Sequence, residues 1–185
     1  MTAKTNYKIE EKIKSAFDLM KDEFKYKNKL QAPRISKISI SVATGKAMKQ
    51  DKKKNEFVIG RLLKITGQKA VEKQAKKAIA SFKTRIGDKI AVSLTLRGPR
   101  MFAFLEKLLN TSIPRTKDFR GYKKSSVDEM GNMTFGIKEH TIFPEIRDEE
   151  LKDIFSMAIT FTTTAKNKAE ATKFFEIIGF PFKKD

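Results

Sequence analysis

The chain has 185 residues, 39% of them hydrophobic, and carries 40 Lys and Arg against 22 Asp and Glu, a formal net charge of +18. With no cysteine and a single histidine, His140, it excludes a disulfide framework, a thiolate metal site, a cysteine nucleophile and a multi-histidine zinc site. The length suits one α+β domain over residues 1–185 and is short for two large ones. No apolar run approaches the roughly 18–20 residues that span a bilayer, and the N-terminal MTAKTNYKIEEKIK has no apolar signal core and is not acid-poor like a transit peptide. A charge this large calls for a polyanionic partner. Nucleic acid comes first. An anionic membrane surface comes second and is disfavoured, because the apolar helix faces are committed to a core.

Residues 5–25 carry Ile9, Ile13, Ala16, Phe17, Met20 and Phe24 at three- and four-residue spacing, which predicts an amphipathic helix packing on the body of the domain. Pro33 restricts the residue before it and marks a boundary. Arg34 to Val42 then alternates: Ile38, Ile40 and Val42 on one face, Lys37, Ser39 and Ser41 on the other. After a turn at Gly45, residues 51–65 predict a second helix with Phe57, Val58, Leu62 and Ile65 inward and Lys52, Lys53 and Lys54 on a solvated face. Gly67 stops it. A short strand, 70–74, follows, then one helical turn over 76–81 and a basic loop, 82–89, around Gly87-Asp88.

Residues 90–97 are a second alternating run. Ile90, Val92, Leu94 and Leu96 point one way; Ala91, Ser93, Thr95 and Arg97 point the other. Gly98-Pro99 joins this strand to a helix over 99–111 with Phe102, Leu105 and Leu109 on its inner face, ended by Pro114. The loop 115–124, RTKDFRGYKK, is basic and aromatic. Residues 125–137 read as a hairpin turning at Met130-Gly131-Asn132, and 138–146 as irregular. Phe155 to Thr163 alternates again, with Phe155, Met157, Ile159 and Phe161 inward and Ser156, Ala158, Thr160 and Thr162 outward. Asn167 caps a last helix closed by Gly179-Phe180-Pro181. This order predicts a single, mostly antiparallel sheet with helices packed on one face and an open face left over. The 15 Phe and absence of Trp assign most large-volume packing to Phe.

Residues 61–100 hold eleven Lys or Arg against Glu72 and Asp88, a net +9 in under a quarter of the chain. The strand faces beside this stretch are small and hydroxylated: Ser39 and Ser41, Ser93 and Thr95, Thr160 and Thr162. Modules that read single-stranded RNA stack bases on Phe or Tyr. A hydroxyl face instead lets a folded RNA backbone approach and hydrogen-bond through sugars and phosphates. An ordinary solvated sheet face also holds Ser and Thr; the adjacent cations favour RNA. No Walker loop is present, and no carboxylate–histidine–nucleophile set surrounds His140, so a structural or surface histidine is expected and no catalytic residue, metal or cofactor. An RNA-modifying enzyme would need such a set. A free-standing RNA-binding protein or RNA chaperone usually carries disordered basic tails, whereas this chain is patterned from Tyr7 onward.

Six motifs occur in order: Gly67-Gln68-Lys69, Leu94-Thr95-Leu96-Arg97-Gly98, Ile113-Pro114-Arg115, Asp118-Phe119-Arg120-Gly121, Phe143-Pro144-Glu145-Ile146 and Thr162-Thr163-Thr164-Ala165-Lys166. Their order and spacing, from about Tyr7 to Phe182, resemble the large-subunit ribosomal protein five family in its bacterial form. The resemblance implies a component of the central protuberance of the large subunit, located on the cytoplasmic ribosome, with an organellar ribosome left open. It implies contacts with 5S rRNA and large-subunit rRNA, with the peptidyl-site tRNA elbow, with a small-subunit head protein and with other 5S-binding ribosomal proteins.

On this reading the 5S rRNA face comprises Ser39, Ser41, Gln68, Lys69, Ser93, Thr95 and Arg97. The family's RNA-bonding glutamine and threonine fall on Gln68 and Thr95. Its asparagine at the end of the first strand is replaced by Ser41. The tRNA contact falls on Lys83, Thr84, Arg85, Gly87 and Lys89. Arg115, Lys117, Phe119 and Arg120 form a loop suited to a protein bridge or to RNA. Further departures are Ala43-Thr44-Gly45 in the glycine-rich turn, Ala70 where proline is usual, and Phe155-Ser156-Met157-Ala158 where the family carries arginine, glycine and aspartate.

Overall fold

The computed structural model describes residues 8–45, 53–117, 119–146 and 154–183. The predicted helix start at 5–7, Lys52 with the first residues of the second predicted helix, and Asp118 lie outside them. The elements are α1 (Lys8–Phe24), β1 (Ile35–Ala43), α2 (Lys54–Thr66), β2 (Val71–Gln74), β3 (Lys89–Leu96), α3 (Gly98–Lys107), β4 (Met133–Ile137), β5 (Met157–Thr163) and α4 (Lys168–Ile178). The strands form one antiparallel sheet in the order β2-β3-β1-β5-β4, the α+β arrangement expected from the element order. β1, first in sequence, is the central strand. A central strand has no free edge, and its inward residues Ile38, Ile40 and Val42 are fully buried.

The chain divides into two compact units. The first comprises Met1–Ile38, Leu96–Phe135 and Thr160–Asp185. Here α1 packs against α3 and α4. Its core takes Ile9, Ala16 and Met20 from α1, Met101, Phe104 and Leu105 from α3, and Ala171, Phe174, Phe175 and Ile178 from α4. Phe135, Phe161, Phe175 and Phe180 stack edge to face and face to face with centroids 5.1–6.2 Å apart, a spacing that suits ring quadrupoles. Phe supplies the large buried volume here, as the composition suggests. At the start of α4, Asn167 Oδ1 accepts the Glu170 N–H at 2.9 Å and Glu170 Oε2 accepts the Lys166 N–H at 2.7 Å, a reciprocal cap. Glu170 is buried, and its other oxygen accepts the Tyr26 hydroxyl. Burial first, and then this carboxylate, push the Tyr26 phenol above its ordinary range.

The second unit comprises Ser39–Thr95 and Gly136–Ile159. Its core takes Val58, Leu62 and Ile65 from α2, Val92 and Leu94 from β3, and Phe143, Met157 and Ile159. Gly67 ends α2 in the left-handed conformation at φ 67°, and its N–H returns to the Leu63 carbonyl at 2.8 Å. His140 is buried, its ring stacked on Phe155 at 4.1 Å, with Nδ1 accepting the Phe155 N–H at 3.4 Å. It is the structural histidine expected.

Four local readings are corrected. The inner face of α3 is Met101, Phe104 and Leu105, continued by Leu108; Phe102 and Leu109 are half-exposed. The helix also changes to a π-helical turn over Leu108–Ser112, which shifts the phase a 3.6-residue period assumes. Ile90 is exposed although Val92, Leu94 and Leu96 are buried, because β3 begins at the open end of a loop. The predicted turn at 76–81 is a 3₁₀ turn at Ala80–Phe82. The hairpin over 125–137 turns within Asp128–Asn132 as expected, but its pairing is limited to one bridge, from Val127 to Met133 at the start of β4.

Candidate nucleic-acid interface

In the second unit, Ser39, Ser41, Ser93 and Thr95 alternate with the buried residues of β1 and β3 and are exposed or half-exposed. None is large, so a backbone can come close to the strands. β2 lies antiparallel to β3, and its first residue, Val71, pairs with Ser93. Thr95 therefore lies beyond the last β2 partner. Gln68 fills the gap: its Nε2 donates to the Thr95 carbonyl at 3.0 Å. Gln68 is held in turn by Thr66, whose Oγ1 accepts the Gln68 N–H at 3.3 Å and donates to Leu62 O at 2.7 Å. Lys69 next to it is exposed. Gln68, Lys69 and the hydroxyl pair Ser93 and Thr95 thus meet at one end of β3, although Gln68 and Thr95 stand 27 positions apart in the chain. Arg97, in the first unit, is exposed.

The first unit carries its own hydroxyl pair, Thr134 and Thr160, whose Oγ1 atoms lie 3.0 Å apart and satisfy each other. Thr162 is half-exposed.

The basic loop follows β2. Lys83 and Arg85 are exposed, Thr84 is half-buried, and Lys83 adopts a left-handed conformation at φ 49°. An open concavity of about 1410 Å³ is lined by this loop, with Lys76, Lys77, Lys83 and Arg85 beside Ile79 and Phe82. Phe82 is 68% exposed and Ile86 73%. Sequence reasoning misses these apolar side chains, since a basic loop without periodicity gives no sign of which way they face. It also misses the partner of Lys89. Lys89 Nζ lies 2.7 Å from Glu72 Oε2, while Asn55 Nδ2 donates to Glu72 Oε1 at 3.0 Å. The Lys89 bond first, and then that of Asn55, hold the Glu72 carboxyl below its usual range. Lys89 therefore stands at the root of the loop as a counter-ion.

In the third group, Arg115, Lys117 and Arg120 are exposed or half-exposed. Phe119 packs edge-on against Tyr122 at 5.1 Å, and Tyr122 lies 4.2 Å from Phe135. Burial pushes the Tyr122 phenol up to about 12. Phe119 thus anchors its loop, and the three cations around it stay exposed.

No group of three or more metal-ligating side chains exists among the described residues, and no helix among them is long and apolar enough to cross a membrane. Fold and surface together define an α+β chain with a cationic, hydroxyl-bearing strand face. Residues 28–85 match the family described as ribosomal protein L5, and residues 89–182 match the model of that family's C-terminus. The large ribosomal subunit protein uL5 of Heliobacterium modesticaldum is 44% identical over 177 residues, covering 95% of this chain and 98% of that one. The uL5 of Ureaplasma urealyticum is 46% identical over 173 residues, covering 94% and 93%. That of Flavobacterium johnsoniae is 43% identical over 179 residues, covering 96% and 97%. The chain belongs to the ribosomal protein L5 family, in its bacterial form, a family of structural proteins and not of enzymes.

Proposed function

We propose that this protein is a structural constituent of the large ribosomal subunit that binds 5S rRNA in the central protuberance, contacts the peptidyl-site tRNA elbow and bridges to a head protein of the small subunit. The coarse part follows from relatives named large ribosomal subunit protein that align over nearly their whole length. The observation that carries the 5S rRNA assignment is the end of β3, where Gln68 bonds Thr95 beside Lys69 and Ser93. Small hydroxyls offer donors and acceptors to sugar and phosphate, and the adjacent cations supply the attraction. Ser39, Ser41 and Arg97 extend the same reading. Large-subunit rRNA and other 5S-binding ribosomal proteins are the expected neighbours.

Lys83, Thr84, Arg85 and Gly87, with Lys89 at the root, are assigned to the tRNA elbow, and Arg115, Lys117 and Arg120, anchored by Phe119, to a protein bridge or an RNA contact. In lysate the tagged protein should sediment with the large subunit; recovery only at the top of the gradient overturns the assignment. Replacing Lys83 and Arg85 together by neutral residues should leave affinity for free 5S rRNA nearly intact and weaken peptidyl-site tRNA retention on assembled ribosomes. Collapse of 5S rRNA binding instead would move the loop to the rRNA site.

A further inference from the structure

Between β2 and β3 the chain makes a 14-residue excursion, 75–88, that holds its form through main-chain bonds at three levels. At the base, the Ala75 N–H donates to Asp88 O at 2.8 Å and the Gly87 N–H to Ala75 O at 3.0 Å. At the tip, Ile79 and Thr84 exchange N–H···O bonds of 3.1 and 3.2 Å around the 3₁₀ turn. Between them, residues 85–88 form an arc closed twice: the Asp88 N–H donates to Arg85 O at 3.2 Å, and Asp88 Oδ2 accepts the Arg85 N–H at 2.7 Å.

Asp88 is the only acid from Lys73 to Lys89, a stretch with Lys73, Lys76, Lys77, Lys83, Arg85 and Lys89. For phosphate binding a carboxylate here is electrostatically unfavourable, because it repels any phosphate drawn to its neighbours. Its geometry gives it another use. A carboxylate accepting a main-chain N–H is among the stronger hydrogen bonds a turn can have. The atom it holds belongs to Arg85, and the arc it closes joins the base to the tip that bears Phe82 and Lys83. Without that bond, the arc is closed by the Asp88 N–H to Arg85 O bond.

We propose that Asp88 is a positioning residue: its carboxylate holds the 85–88 arc so that Lys83 and Arg85 are presented to a nucleic-acid phosphate in a preformed geometry. Preorganisation lowers the ordering cost of binding, and here it outweighs the repulsion one acid adds. The binding half rests on the tRNA-elbow assignment made above; the structural half does not.

The test pairs two variants that remove the same charge. Asp88→Asn keeps a carbonyl oxygen that can accept the Arg85 N–H; Asp88→Ala keeps none. In the full-length protein, hydrogen exchange of the Arg85 amide should become about tenfold faster in Asp88→Ala, the equivalent of one charged hydrogen bond, and stay near wild type in Asp88→Asn. On assembled ribosomes, Asp88→Ala should lose deacylated tRNA from the peptidyl site faster than wild type, and Asp88→Asn should hold it as well or better. Simple charge removal predicts that both variants tighten. Tighter or unchanged retention by Asp88→Ala overturns the proposal, as does unchanged exchange at Arg85. If neutralising Lys83 and Arg85 leaves tRNA retention unaltered, the elbow assignment fails, and the exchange rate at Arg85 alone decides whether Asp88 holds the arc.

Discussion

The Gln68 side-chain amide donates to the Thr95 backbone carbonyl at 3.0 Å and continues, by a side chain, the ladder that β2 leaves at Val71. One residue thereby fixes the end of β3 while staying half-exposed at the edge of the hydroxyl face. Gln68→Ala opens that carbonyl to water, which can replace the lost donor. Stability should therefore fall by no more than ~1 kcal/mol, while 5S rRNA binding weakens by ~1–2 kcal/mol. Thr95→Ala should cost RNA binding by the same order, because its hydroxyl points away from the core. Filter binding and thermal unfolding at one salt concentration check both. Intact binding together with a large drop in stability would assign this face to protein packing.

If the +9 stretch meets phosphate, binding must release counterions. For about five phosphate contacts, log affinity for 5S rRNA should fall against log salt with a slope of roughly −3 to −5. A salt titration yielding a slope near zero is incompatible with backbone recognition.

Glu72 ties α2, β2 and β3 together through Asn55 and Lys89. Its folded pKa lies below the ordinary 4.5. The unfolded chain thus binds more protons than the folded one in this acid window, and stability there rises with pH. The contribution is fully present above the unfolded value and is lost as pH falls through the folded one. Melting temperature should drop as pH is lowered below about 4.5, and Glu72→Gln should flatten that part of the profile while lowering the plateau slightly. A wild-type slope retained in Glu72→Gln would place the acid sensitivity elsewhere.

Gly131 sits at φ +80° in the turn before β4, and a Cβ there would come within 2.8 Å of Ala165 Cβ. The turn is itself tied to β5: Thr163 Oγ1 donates to Gly131 O at 2.6 Å, and Asn132 Oδ1 accepts the Thr163 N–H at 3.2 Å. Gly131→Ala therefore meets both left-handed strain and a contact that has little room to yield. Unfolding should show a loss of ~1–3 kcal/mol, without a change in salt slope for RNA binding. A neutral effect would mean that the turn relaxes freely.

The element order, the alternation on β1, β3 and β5, the Asn167 cap and the Gly67 stop were legible in the sequence. Each depends on residues within a turn or two of one another. A strand with one covered face must alternate, and a helix end needs its donors and acceptors met locally. The absence of cysteine and the lone His140 excluded whole chemistries for the same elementary reason. Six ordered motifs were enough to identify the family.

Tertiary structure alone decided the rest. The partner of Glu72 is Lys89, 17 residues on, because β2 and β3 pair in a register with an irregularity between Lys73 and Gln74 that composition does not encode. The exposure of Ile90 depends on where the sheet runs out of cover, and the inner face of α3 on a π turn that breaks its period. Gln68 and Asp88 have the sequence look of a polar motif residue and a turn former. Only folding sets an amide against the open carbonyl of Thr95 and a carboxylate against the N–H of Arg85. A side chain's propensity is written locally, but its partner is chosen by the path of the whole backbone.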